Sequence, residues 1–193
     1  MKKFVVLVVS LLLSSYSFAS ESREEVNNAI KLEDSYKSVG IGASVQSDEY
    51  TVYLPINISE KNRLEPFVGY KKTDIKKSSN GYSGTQKSKN IYLGMGYFHF
   101  SKVKGKLFSY YGGKVAYIET ESSDVNSEVS LDGYMLSPIV GLEYRFTDKF
   151  YIGCDVGFIY ERLTGDYTKN GYTTNIEQDK TYTDTQVILR YMF

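Results

Sequence analysis

One histidine, one cysteine and a set of charged residues set among strand-like segments are the groups that could carry chemistry in this chain. His99 stands two residues before Ser101 in "FHFSKVKGK". A base and a hydroxyl at that spacing could form a nucleophilic pair, but only with a carboxylate to orient the ring. The local sequence supplies none, so an interfacial histidine is the preferred reading. Cys154 has no second cysteine to bond and reads as a small apolar residue on the hydrophobic side of its segment. "GYSG" and "NGY" are turn chemistry, not phosphate-binding loops, and no metal-ligand spacing stands out. No cofactor is expected. The third group is Glu65, Lys71, Lys114, Glu143, Arg145, Asp155, Glu161 and Arg190. Opposite charges in such a set can neutralise one another in a narrow, partly wet interior.

These residues are positioned by segments that alternate with period two, the pattern of strands with one apolar face. Val39, Ile41, Ala43 and Val45 alternate with Gly40, Gly42, Ser44 and Gln46. The same alternation runs through 50–58, 64–71, 91–98, 107–120, 134–146, 150–161 and 184–193, which makes eight strands. The charged set falls on the register opposite to the apolar one. Most glycines inside the strands fall there too, among them Gly69, Gly94, Gly96, Gly141, Gly153 and Gly157. An eight-stranded barrel is just wide enough to be filled by its own side chains, so small residues must recur inside it. The apolar register carries no charge in mid-strand, and Tyr and Phe collect near its ends, where the aromatic girdles of a membrane barrel belong.

The connections agree. After a short first one they alternate between tight turns and polar stretches such as "TDIKKSSNGYSGTQKS", "ESSDVNSEVSLDG" and "LTGDYTKNGYTTNIEQDK". A sandwich has no reason to sort its connections by parity, whereas an outer-membrane barrel keeps short turns at one end and long connections at the other. The expected fold is all-β, an eight-stranded antiparallel up-and-down transmembrane β-barrel over residues 39–193. Residues 1–19 read as a signal peptide, with Lys2 and Lys3 before an apolar run and small Ser17 and Ala19 before the cleavage point. Residues 20–38 read as a polar periplasmic lead-in with room for a helical turn or two. Equal numbers of basic and acidic residues, 23 of each, give no reason to expect a nucleic-acid partner.

On these features the chain resembles the small Gram-negative outer-membrane β-barrels, the group of the OmpA transmembrane domain, OmpX and the opacity-like proteins. The last strand is similar to that group's assembly signal, with Val187, Leu189, Tyr191 and Phe193 at alternate positions. The resemblance implies recognition by the barrel-assembly machinery, an outer-membrane location with both termini periplasmic, contact with lipid and lipopolysaccharide, and a monomer. It also implies a non-enzymatic structural or surface-interaction role through the long connections. Those connections are unlike in charge: Lys71, Lys72, Lys76, Lys77, Lys87 and Lys89 surround the second external one, and Glu119, Glu121, Asp124, Glu128 and Asp132 the third. A narrow porin-like channel or carrier is the alternative. A lipid A-modifying barrel is a third, since the His-x-Ser spacing is similar to that of the deacylase barrels. His99, however, lies beside a short turn, at the end away from the outer leaflet.

Overall fold

The computed structural model describes residues 38–46, 49–79, 82–124 and 127–193. The expected signal peptide and most of the lead-in lie outside the described residues. The strands are β1 (Gly40–Gln46), β2 (Glu49–Tyr53), β3 (Ile56–Asn57), β4 (Asn62–Ser79), β5 (Tyr82–Lys104), β6 (Leu107–Asp124), β7 (Ser127–Arg145), β8 (Phe150–Lys169) and β9 (Tyr172–Met192). Every pairing is antiparallel. β1 pairs with β9, while β2 and β3 pair with β4, so the sheet closes on itself.

The nine segments make eight staves. β2 and β3 are one stave interrupted at Leu54 and Pro55, since proline has no N–H to give a ladder. Hydrogen bonds carry on across the gap: Leu54 N–H donates to the Pro66 carbonyl and Gly40 N–H to the Pro55 carbonyl, both at 2.9 Å. The eight-stranded, all-β, up-and-down architecture expected from the alternation is the one observed.

The polar connections take a different form from the one expected. "LTGDYTKNGYTTNIEQDK" is ladder almost throughout, from Lys169↔Tyr172 downward in continuous register. Asn170 and Gly171, with φ of 51° and 83°, make the two-residue turn. Two successive positive φ values are what a tight hairpin of this hand requires, and Asn-Gly adopts them at least cost. β4 and β5 likewise pair as far as Ser79↔Tyr82, and β6 and β7 as far as Asp124↔Ser127. The long connections are therefore tall hairpins.

Inside and outside are inverted relative to a water-soluble core. Val140 (62% exposed), Val115, Val156, Leu142, Val187 and Met95 all face outward and are exposed. The interior holds two apolar clusters. One is built around Tyr53, Phe67, Ile118, Met135 and Leu163, and the other around Phe98, Phe100, Tyr110 and Ile139. The glycines on the inner register make room for these rings. Gly112 sits so close to β5 that an added Cβ would overlap the Tyr97 carbonyl oxygen and lie 2.9 Å from Phe98 Cα. Backbone cannot yield there as a side chain can. Gly112→Val is expected to cost about 1–3 kcal/mol through overpacking, seen as a lower denaturant midpoint in detergent micelles.

Candidate functional site

The closing of the sheet brings charges from three staves into the lower interior, at the end where the described chain begins and ends. Arg63 on β4 donates to both oxygens of Glu143 on β7, at 2.6 and 3.0 Å. Its Nε donates to Asn57 Oδ1 at 2.8 Å, and its Nη1 lies 3.4 Å from Glu65. From β9, Arg190 approaches Glu65 with Nε at 2.8 Å and Nη2 at 3.0 Å, and reaches Glu143 with Nη1 at 3.2 Å. The side chains of Arg63, Glu65, Glu143 and Arg190 are 0% exposed. Fork-shaped guanidinium pairing of this kind fixes geometry as well as supplying charge-assisted bonds.

Arg145 adds a third cation from the lower mouth. It donates to Glu143 at 3.1 Å and lies 3.8 Å from the centre of the Phe108 ring. With Phe98, Phe100 and Tyr110 packed beside it, the cluster fills the lower interior. Three guanidiniums meet two carboxylates there, which makes Glu143 the shared acceptor of all three.

Midway up, Lys114 and Asp155 face each other at 3.9 Å, beyond hydrogen-bond distance. Tyr110 donates to Asp155 at 3.1 Å, and the Lys114 ammonium lies 5.3 Å from the Tyr53 ring centre. Above them is a cavity of about 50 Å³ lined in part by Tyr92, Ser137, Tyr182 and Asp184. That is room for a few waters at ~10–15 Å³ each.

Of the eight charged residues singled out in the sequence, four form one assembly (Glu65, Glu143, Arg145 and Arg190) and two form the separate mid-level pair (Lys114 and Asp155). Glu161 is higher and accepts from Tyr182 at 2.6 Å. Lys71 is not part of the cluster; it lies at the upper rim, 40% exposed and 3.6 Å from Glu49. Arg63, Tyr110 and Glu49 complete the set and were not anticipated. Arg63 shares the inner register with Glu65, two residues on, so continuing β4 back into "SEKNR" would have found it. Val187, Leu189, Tyr191 and Phe193 all lie on the outer face.

His99 is at the lower end, its Nδ1 2.9 Å from the Asn62 side-chain oxygen and its ring beside Tyr111. An amide stands where a triad would place a carboxylate. Cys154 is exposed on the outer face, and no group of three or more potential metal ligands occurs among the described residues.

No protein-family model matches the chain, and no curated protein does. Among solved structures it is similar to a major outer membrane protein from Thermus thermophilus. The TM-score is 0.55 at 12% identity, over 81% of this chain and 98% of that one. Neisserial surface protein A is also similar, with TM-score 0.45 at 10% identity over 81% of this chain and 94% of that one. At such identities the likeness concerns the fold.

Proposed function

We propose that the protein is an outer-membrane β-barrel without enzymatic activity, sealed below and presenting tall hairpins to the exterior. The observation that carries this reading is the exposed apolar belt and its aromatic borders. On β7 the belt runs from Tyr134 to Tyr144 through Leu136, Val140 and Leu142, all at least 41% exposed. Ten residues at about 3.4 Å each, tilted by about 40°, give roughly 26 Å of height. An outer-membrane barrel carries an apolar band about 25 Å tall between aromatic girdles. The lower border has its rings in contact, with Tyr144–Phe146 centroids at 4.8 Å and Tyr191–Phe193 at 5.7 Å. The upper border holds Tyr70, Tyr117, Tyr134 and Tyr160. Lys72, Glu119, Asp132 and Arg162 follow directly above it on the same outward register. Charge resumes where lipid would end.

This orientation puts both ends of the barrel domain on the periplasmic side and the Asn170–Gly171 turn outside. On a Cys154→Ser background, Asn170→Cys should react with a membrane-impermeant maleimide on intact cells, and Lys106→Cys should not. The folded barrel should also migrate differently before and after boiling. Equal labelling of the two sites, or identical migration, would sink the reading.

The lower cluster argues for a closed lumen over a channel. In planar bilayers the purified protein is expected to give no stable ion-conducting openings. Sustained openings would instead favour the porin-like alternative.

A further inference from the structure

The ring of eight staves has unequal height. β1 ends at Gln46 and β2 starts at Glu49, while β9 on one side and β4 on the other run far above them. The β1 ladder along β9 extends only from Gly40↔Met192 to Ser44↔Ile188, and the β2 ladder along β4 stops at Glu49↔Lys71. Above those points, among the described residues, 172–186 of β9 and 72–79 of β4 are paired on one side only. The wall thus has a notch two staves wide, about 14 Å from β9 to β4 at ~4.8 Å per strand spacing.

We infer that the free edge of β9 is a docking line for an extended, basic segment of a partner protein, which adds there as a further strand. This rests on the surface-interaction reading above and specifies how the interaction is made. An unpaired strand edge is a ready template for another chain, and proteins commonly blunt such edges with proline, bulges, covering loops or charge. β9 has few of these defences. It contains no proline or glycine, and its ladder with β8 runs without a bulge. Most residues of 172–186 are exposed on both registers; Tyr182, on the inner one, is 38% exposed. At the lower end of that side Ser44 and Tyr53 reach across to Gln186; above it no strand among the described residues is laddered to the edge.

The direction of the backbone groups follows from two hydrogen bonds. Phe193 N–H donates to Val39 on the β1 side, and Met192 N–H donates to Lys149 on the β8 side. With an unbroken register, odd-numbered residues of β9 turn N–H and C=O away from β8. Thr173, Asn175, Glu177, Asp179, Thr181, Thr183 and Thr185 therefore offer their backbone groups to the notch. Threonine is itself a strand-favouring residue. The charge along this edge is acidic: Glu177, Asp179 and Asp184 against Lys180 alone. Arg162 pairs with Glu177, Tyr160 donates to Asp179, and Gln186 donates to Asp184, so the carboxylates are held in place while the net sign stays negative. Backbone pairing would supply affinity, and alternate basic side chains the choice of partner. Two copies in one membrane present their β9 edges running the same way, so they could not pair antiparallel as every ladder here does.

The test uses the full barrel in detergent micelles with two labelled decapeptides, one alternating threonine and lysine, the other threonine and glutamate. Residue-resolved hydrogen exchange on the free protein should show fast odd-numbered and slow even-numbered amides over 173–185. The lysine peptide should slow the odd amides about tenfold or more and leave the even ones unchanged, as β-strand addition requires. The glutamate peptide should bind at least about tenfold more weakly. Thr181→Pro with Thr183→Pro removes two notch-facing donors and spares the β8 ladder. It should abolish protection while the barrel keeps its heat-modifiable migration. Unchanged odd amides, equal binding by the proline variant, or odd-amide protection that grows with protein concentration alone would each overturn the proposal; the last would put a second copy at the edge. The cell-surface labelling above is an independent readout. A chain that fails it but shows peptide-dependent protection keeps the docking edge and loses the membrane orientation.

Discussion

Glu143→Ala is expected to destabilise the folded barrel by about 3–5 kcal/mol, the range for removing one partner of a buried ion pair. Glu143 accepts from Arg63, Arg145 and Arg190. Its loss leaves three guanidiniums facing Glu65 alone, two of them fully buried. The measurement is the denaturant midpoint in detergent micelles, with the slope checked so that a changed unfolded state is not read as lost stability. Two companion variants give the result its meaning. Arg145→Gln touches a residue with partial access to solvent, so it should cost at most about 1 kcal/mol. Arg63→Met combined with Glu143→Leu removes a charge of each sign and leaves Arg190 with Glu65. It should recover most of the loss, because well-packed apolar replacements of a whole buried pair are often near neutral. A silent Glu143→Ala would mean that water reaches the cluster, and the sealed-lumen reading would fall with it.

The period-two pattern located the staves and their faces correctly because the outer and inner surroundings differ so sharply. Val140 and Gly141, or Leu189 and Arg190, are neighbours in sequence and opposites in chemistry. That contrast disappears above the upper tyrosines, where both faces meet water. The sequence reads 163–180 as a connection for this reason, although Thr168, Thr173 and Thr174 favour strand and Asn170-Gly171 is a strong hairpin signal. Hydrophobic periodicity reports only strands that separate two media. The length parity of the connections was a sound indicator of the two ends even so, since a tall hairpin consumes as much polar sequence as a loop.

The candidate site was legible as a set and illegible as a geometry. Inner-register charges could be listed, but which of them meet depends on stagger between staves far apart in sequence, such as Glu65 with Arg190. Lys71 matches the inner set by register alone; its height on β4 places it at the rim beside Glu49. Arg63 is masked in the sequence by the turn-like residues that precede it. The notch over β1 and β2 was in principle visible as the one short upper connection. It becomes meaningful only when the register shows how much of β9 and β4 goes unpaired.

Val140→Arg is expected to cost about 2–4 kcal/mol in lipid vesicles, the penalty for a cation at the midplane of a barrel's lipid face. Val140 is 62% exposed, so the same change in a water-soluble protein would be nearly free, within about 0.5 kcal/mol. The depth profile decides between these two physical situations. Leu136→Arg should fall in between, and arginine at Tyr134 or Tyr144, at the two borders, should cost only about 0–1 kcal/mol, because a long side chain there can reach water. The readout is the folded fraction, by heat-modifiable migration, across a denaturant series in vesicles of fixed composition. A flat profile with all four variants near wild type would remove the lipid belt as the cause of the apolar exterior. A cost peaking at Val140 and falling toward both tyrosines would locate the bilayer centre on β7. It would also set the height of the β9 edge, which begins above Ile188, paired with Gly153 on β8.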